Sequence, residues 1–285
     1  MTTFLSQFRA ESLYINPMYL ERLPDKLLMA RYNYLKDMLN SMPEFNCPRS
    51  NIYYVKTHHQ TKPYSYKRVY PNSPDRGYYE QILAKRGEIE GQLLQLEHAW
   101  QMRHGFPIPS ADERPIAIIN TGSRLSMDNF NMLTEYSNPR PIETNYIAGG
   151  KRYRSRLELH TAEALSLLGL EWRYEPAITL GVPGKFMGEA RTVTVTPDFA
   201  VAVPELRRFF IVEALGMLSD KSYAEEACNK IRTYAYNGIY PSKDLVLVPG
   251  DSTYMPPIEA ILSSLVSTLE HICSEVVSEA GSLKL

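Results

Sequence analysis

The chain has 285 residues, 44% of them hydrophobic and 22% charged, with a formal net charge of −1. That is the make-up of an ordinary globular protein of one large or two modest domains. It excludes global attraction to a polyanion, so any nucleic-acid partner has to be held by local basic patches.

Cys47, Cys228 and Cys273 are few, odd in number and widely spaced. They fit a reducing compartment and offer neither a disulfide framework nor a zinc-ligand spacing. No apolar run approaches membrane-spanning length and the N-terminus lacks a signal-peptide pattern, so the expectation is a soluble, cytoplasmic protein with no membrane partner. The oligomeric state is left open. Twenty tyrosines against nine phenylalanines lean toward amphipathic aromatics, at home on binding surfaces as well as in cores.

Residues 1–22 carry no clear period. Pro24-Asp25 opens a helix whose apolar stripe is Leu28, Tyr32, Leu35, Leu39 and Met42, and Pro43 ends it. From Asn51 to Tyr70 the pattern changes to strand, with Ile52 to Val55 and Tyr64 to Tyr70 joined by a turn at Gln60 to Pro63. This hairpin carries Lys56, Lys62, Lys67 and Arg68, with no Asp or Glu. Basic groups interleaved with tyrosines suit nucleic acid, through charge for phosphates and rings for bases, which makes Lys56, Lys67 and Arg68 candidate contacts. The alternative is an exposed hairpin whose tyrosines fill a small core. His58-His59 is a poor metal pair, because adjacent strand residues point to opposite faces.

A second long helix is expected over residues 78–103, with Ile82, Ile89, Leu93, Leu96 and Trp100 packed antiparallel on the first helix. Self-association through these stripes would make the protein a scaffold. Pro107, Pro109, Pro115, Pro139 and Pro141 interrupt the stretch to Gly150, in which a helix is expected over Ser126 to Tyr136. The domain boundary is expected near Thr144, dividing a helical module with an inserted hairpin (residues 1–143) from an α/β domain (144–285).

Lys151, Arg152, Arg154 and Arg156 lead into a helix with apolar positions Leu157, Thr161, Ala164, Leu165 and Leu168. These four cations beside a helix N-terminus are either a phosphate-binding patch or a basic linker. Strands are expected over Glu171 to Leu180, over Arg191 to Val203 as a half-buried strand, and over Phe209 to Leu215. A helix from Lys221 to Tyr236, a buried strand at Leu245 to Val248 and a closing helix after Pro256-Pro257 complete a mixed sheet flanked by helices.

Two acids stand out. Asp198 follows Pro197 at the end of one extended run and Glu213 closes the run Phe209 to Val212, with Pro204 to Arg207 as the turn between them. Two carboxylates at neighbouring strand ends offer the oxygen ligands that Mg²⁺ prefers. Separately, Asp198 would read as a turn acid and Ser155-x-x-Glu158 as a capping box; their co-occurrence with Glu213 favours a shared site.

The order of elements and acids over residues 150–250 resembles the PD-(D/E)xK (restriction-endonuclease-like) nuclease superfamily. Within it the chain is similar to a group of uncharacterised bacterial proteins that carry an N-terminal helical region. The resemblance rests on Ser155-Arg156-Leu157-Glu158, Tyr174-Glu175, Pro197-Asp198-Phe199, Glu213-x-x-Gly216-Met217, Lys230 and Tyr236-Asn237-Gly238-Ile239. It implies that Asp198 and Glu213 bind Mg²⁺ or Mn²⁺ with the carbonyl of Ala214, and that Glu158 points into the same site. It further implies a metal-dependent hydrolase of DNA phosphodiester bonds.

The pattern departs at Leu215, where the motif lysine is usual. Lys230 on the next helix is the expected substitute, with Lys221 as second choice; either could instead be a solvated lysine on a helix face. The alternative to a nuclease is a nucleic-acid-binding module that keeps the fold without cutting.

Overall fold

A computed structural model of the chain describes residues 17–46, 51–59, 62–109, 125–184, 190–241, 243–251 and 253–282. Two compact units emerge: Leu28–Arg114, and Met1–Leu27 together with Pro115–Leu285.

In chain order the elements are α1 (Pro17–Leu20), α2 (Asp25–Ser41), β1 (Phe45–Asn46), β2 (Tyr53–His59), β3 (Lys62–Val69) and α3 (Arg76–His104). Next come α4 (Met127–Met132), β4 (Tyr146–Ala148), β5 (Lys151–Tyr153), α5 (Arg156–Leu167), β6 (Glu171–Tyr174), β7 (Ile178–Pro183) and β8 (Ala190–Val195). The chain closes with β9 (Phe199–Val203), β10 (Arg208–Leu215), α6 (Lys221–Tyr236), β11 (Leu245–Pro249) and α7 (Ile258–Ser282). Among the described residues no helix is long and apolar enough to cross a membrane.

In the Leu28–Arg114 unit the two long helices run antiparallel. The Tyr32 hydroxyl donates to Glu97 at 2.8 Å, while Arg86 donates to the carbonyls of Leu39 and Pro43, so the start of α2 meets the end of α3. The stripes are mostly covered: Leu28, Tyr32 and Leu35 are buried, as are Ile82, Ile89, Leu93, Leu96 and Trp100, while Leu39 and Met42 are half-buried. Gly105, at φ 75°, ends α3 in the left-handed conformation that a residue without Cβ adopts freely, its N–H donating to the Gln101 carbonyl. The expected hairpin is β2–β3, and β1 adds a third strand in the order β1-β2-β3. Gln60 and Thr61 of the expected turn lie outside the described residues, as does Ile116 to Ile119.

The larger unit is built on a four-stranded sheet in the order β11-β10-β9-β6, with β6, β9 and β10 antiparallel and β11 parallel to β10. The parallel pair requires a crossover, which α6 supplies. One face of the sheet carries Ala200, Ala202, Phe209 and Ile211 against Phe130 of α4, Tyr234 of α6, and Ile178 and Leu180 of β7. On the other side α5 and α7 pack together, with α5 against β10 and α7 against β11.

Three sequence expectations differ from this arrangement. The run Glu171 to Leu180 is two strands, broken where Glu175 takes φ 45°. The run Arg191 to Val203 also splits, at Thr196-Pro197-Asp198, and its second half is wholly buried rather than half-buried because helices cover both faces. Thr/Val alternation cannot show that break; proline, which lacks a ladder donor, is its signal.

The helix expected over Ser126 to Tyr136 covers only Met127–Met132, capped by Ser126, which accepts from the Asn129 N–H. That segment belongs to the larger unit, ahead of the boundary expected near Thr144: Phe209 N–H donates to the Leu125 carbonyl, and Tyr136 N–H to that of Tyr174.

Candidate functional site

Asp198 and Glu213 meet because of strand register. Val212 pairs with Phe199, so the next residues outward on each strand, Glu213 and Asp198, stand side by side. The Ala214 N–H donates to Asp198 Oδ2 at 2.6 Å, so a side chain continues the ladder where β9 has not yet begun. Glu213 follows Phe209 and Ile211 at period two and therefore faces α6.

Helix α6 presents one stripe to that face. Asp220 caps it, accepting from Tyr223 N–H at 2.8 Å, and Tyr223, Ala227, Lys230 and Tyr234 recur at helical spacing. Lys230 Nζ donates to Glu213 Oε2 at 2.7 Å, and the Tyr234 hydroxyl donates to Glu213 Oε1. Tyr223 donates to the Ala214 carbonyl at 3.3 Å. Lys221, on the first turn of α6, is exposed.

Glu158 comes from α5 and serves two roles. Its backbone N–H donates to Ser155 Oγ at 3.1 Å and its Oε1 accepts from the Ser155 hydroxyl, which closes the first turn of the helix. Its Oε2 accepts from the Tyr174 hydroxyl and from Arg154 N–H, so the carboxylate is held pointing inward.

The three acids are electrostatically crowded. Burial, followed by the charge of Asp198, pushes Glu158 up to about 7. Burial also pushes Glu213 up to about 7, opposed by Lys230 and reinforced by Asp198. Asp198 is raised as well, through burial, with Lys230 and the Ala214 N–H opposing. Burial acts to lower Lys230, but the charges of Glu213 and Asp198 outweigh it, so the ammonium is held above its ordinary value and stays protonated.

Asp198, Glu213, Glu158 and the Ala214 carbonyl are all oxygen donors, the chemistry of a hard divalent cation. The repulsion of Asp198 with Glu158 and with Glu213 is what such a cation would relieve. In the present arrangement both Glu213 oxygens are taken, and among the described residues no three His, Cys, Asp or Glu side chains close around one point as a metal-holding group. The donor types fit a metal, while Lys230 supplies the compensating charge.

The basic run at 151–156 divides. Arg154 grips the buried Glu175 through two guanidinium nitrogens and donates to the carbonyls of Arg140 and Pro141. Lys151 pairs with Glu135 at 2.7 Å, whose Oε1 also accepts from the Tyr174 N–H. These two cations are committed to the fold, whereas Arg152 and Arg156 are exposed. In the hairpin, Lys56 pairs with Glu44 and Lys67 with Asp75, both acids lying just outside the strands; Arg68 stacks toward the Tyr54 ring at 5.9 Å.

Sequence reasoning missed the three tyrosines that donate to this donor set. Tyr234 carried a signal, the i+4 spacing from Lys230. Tyr223 shares that stripe, seven residues before Lys230, and Tyr174 stands in the pair Tyr174-Glu175, but nothing local to either residue names its partner. No family model, curated protein or solved structure matches this chain.

Proposed function

We propose that the protein is a divalent-cation-dependent nuclease of the PD-(D/E)xK type that hydrolyses phosphodiester bonds in DNA. The observation that carries the reading is the contact between Lys230 and Glu213 at 2.7 Å. A lysine from the crossover helix stands against the acid whose own strand has lost its lysine to Leu215. The order α5, β6, β9, β10, α6, β11, with the sheet running β6-β9-β10-β11, supports a restriction-endonuclease-like core.

When bound by Asp198, Glu213 and the Ala214 carbonyl, with Glu158 alongside, Mg²⁺ or Mn²⁺ would supply a water of lowered pKa and charge for the phosphate. The chain's own groups do the rest. Asp198 is oriented by the Ala214 N–H and Glu213 by Tyr234. Lys230, protonated, offers an ammonium to a phosphate oxygen or to the attacking water. Exposed Arg152 and Arg156 are the cations of the 151–156 run that remain for the DNA backbone. Plasmid incubated with Mg²⁺ or Mn²⁺, beside an Asp198→Ala control, tests the reading: metal-dependent cutting by the wild type alone is expected, and equal outcomes overturn it.

A second reading, a nucleic-acid-binding module without cleavage, draws on one observation: Lys230 and Tyr234 already occupy both Glu213 oxygens. Calorimetric titration with Mn²⁺, wild type against Glu213→Gln, separates the two. Binding lost in the variant supports the nuclease; no binding in either supports the module.

A further inference from the structure

The hairpin in the Leu28–Arg114 unit sorts its side chains by face. Tyr54 pairs with Arg68 and Lys56 with Tyr66, so all four project from one side of the sheet. Val55 and Val69 point to the other side and are buried. Lys67 also belongs to that inner side: it pairs with Asp75 and lies 5.3 Å from the Tyr79 ring centre.

The outer face is a checkerboard in which each ring has a cation opposite it on the neighbouring strand. Tyr66 is 50% exposed and Tyr70, just past the end of β3, is 48% exposed. Exposed tyrosines occur elsewhere on this chain, but here an exposed ring stands among cations on one sheet face, the mixture of ring and charge that a nucleic-acid strand uses. The charge is also one-sided. The charged side chains of this face are Lys56 and Arg68, and residues 51–70 hold no acid, in a chain whose net charge is −1. Glu44, which pairs with Lys56, is exposed, and such a rim pair is weak enough for a phosphate to replace the carboxylate.

We infer that this face is a stacking platform for single-stranded nucleic acid, with Tyr54 and Tyr66 taking bases and Lys56 and Arg68 taking phosphates. Rings at diagonal positions of adjacent strands stand roughly 7–8 Å apart. A duplex strand advances about 3.4 Å per nucleotide and covers its base faces with neighbours. Only an unpaired, extended strand brings bare bases to rings at the wider spacing. The platform shares no residue with the acid cluster and lies in a different compact unit.

The test is fluorescence anisotropy with a labelled oligothymidylate of about 15 nucleotides, within the site sizes that single-strand binders cover, in EDTA so that no cleavage intervenes. Binding is expected to weaken with salt and to exceed that of a duplex of equal length. Tyr66→Ala should weaken it between about fivefold and a hundredfold, whereas Tyr66→Phe, which keeps the ring, should restore it. Arg68→Ala should also lower the salt dependence, and Lys67→Ala, on the inner face, should leave affinity unchanged. Circular dichroism checks that each variant is folded. No binding at low salt, equal or tighter duplex binding, or indifference to Tyr66→Ala overturns the inference. So does a dimer seen by light scattering that Tyr66→Ala dissolves without changing oligonucleotide affinity, because the occupant is then a second copy.

Discussion

Lys230 and Glu213 are separated by 17 positions and a change of secondary structure, yet their charged atoms lie 2.7 Å apart. The lysine comes from the third turn of α6 and the acid from the last part of β10, and both are largely withdrawn from water. The pair compensates the charge of an acid that is otherwise crowded by Asp198.

If Lys230 does the work that the proposed nuclease reading gives to a lysine at position 215, Lys230→Met should reduce metal-dependent plasmid cleavage by about a hundredfold or more, the scale of a missing proton-handling or charge-stabilising group. Leu215 lies two residues beyond Glu213 on the same strand face. Adding Leu215→Lys to Lys230→Met should then recover at least part of the rate. Cleavage by Lys230→Met at the wild-type rate would remove the lysine from the mechanism.

Stability should depend on pH with a definite sign. Glu158 and Glu213 titrate near 7 in the folded protein against 4.5 when unfolded. Between those values the folded state binds more protons, so this contribution to stability is present at acid pH and is lost as pH rises through about 7. Thermal melts in EDTA should show a lower Tm at pH 8 than at pH 5.5, and Glu158→Gln or Glu213→Gln should flatten the trend. Mn²⁺ should raise Tm more at pH 8 than at pH 5.5, because protons compete with the metal. A metal effect larger at pH 5.5 would contradict the assignment.

Arg154 and its neighbours should separate structure from binding. Arg154→Ala leaves Glu175 buried without its bidentate partner and at a backbone φ of 45°, which should cost about 3–5 kcal/mol in a denaturant melt. Arg152→Ala with Arg156→Ala should change stability by under about 1 kcal/mol while weakening DNA binding in a mobility-shift assay. The reverse pattern would mean that the exposed pair is structural.

Tyr234→Phe removes the hydroxyl that donates to Glu213, a bond that holds the acid's pKa down. Without it the carboxylate should titrate at higher pH. The acid limb of the pH–rate profile should accordingly move up, with protein stability lower by about 1–3 kcal/mol. A fall in stability with an unmoved profile would confine Tyr234 to packing.

Much of the frame was legible because it depends on neighbours in the chain. The stripe Leu28, Tyr32, Leu35 declares a helix wherever it sits, and Phe209 to Val212 declares a buried strand. Asp198 and Glu213 were visible as strand-end acids, and Ser155 with Glu158 as a helix start. The break at Glu175 was not, because an alternating pattern does not say where a sheet releases its strand; the break at Pro197-Asp198 was signalled only by the proline.

Periodicity and composition by themselves determined the long helices, the buried central strands and the acids worth watching, since these follow from local sterics and from which side chains avoid water. The partners were decided only by tertiary structure. Which face of β10 met α6 brought Lys230 to Glu213, and Arg154 was committed to Glu175 rather than to a ligand. Register turned Lys67 inward and Arg68 outward. Contacts between residues remote in sequence depend on how packed layers align, and no local spacing carries that information.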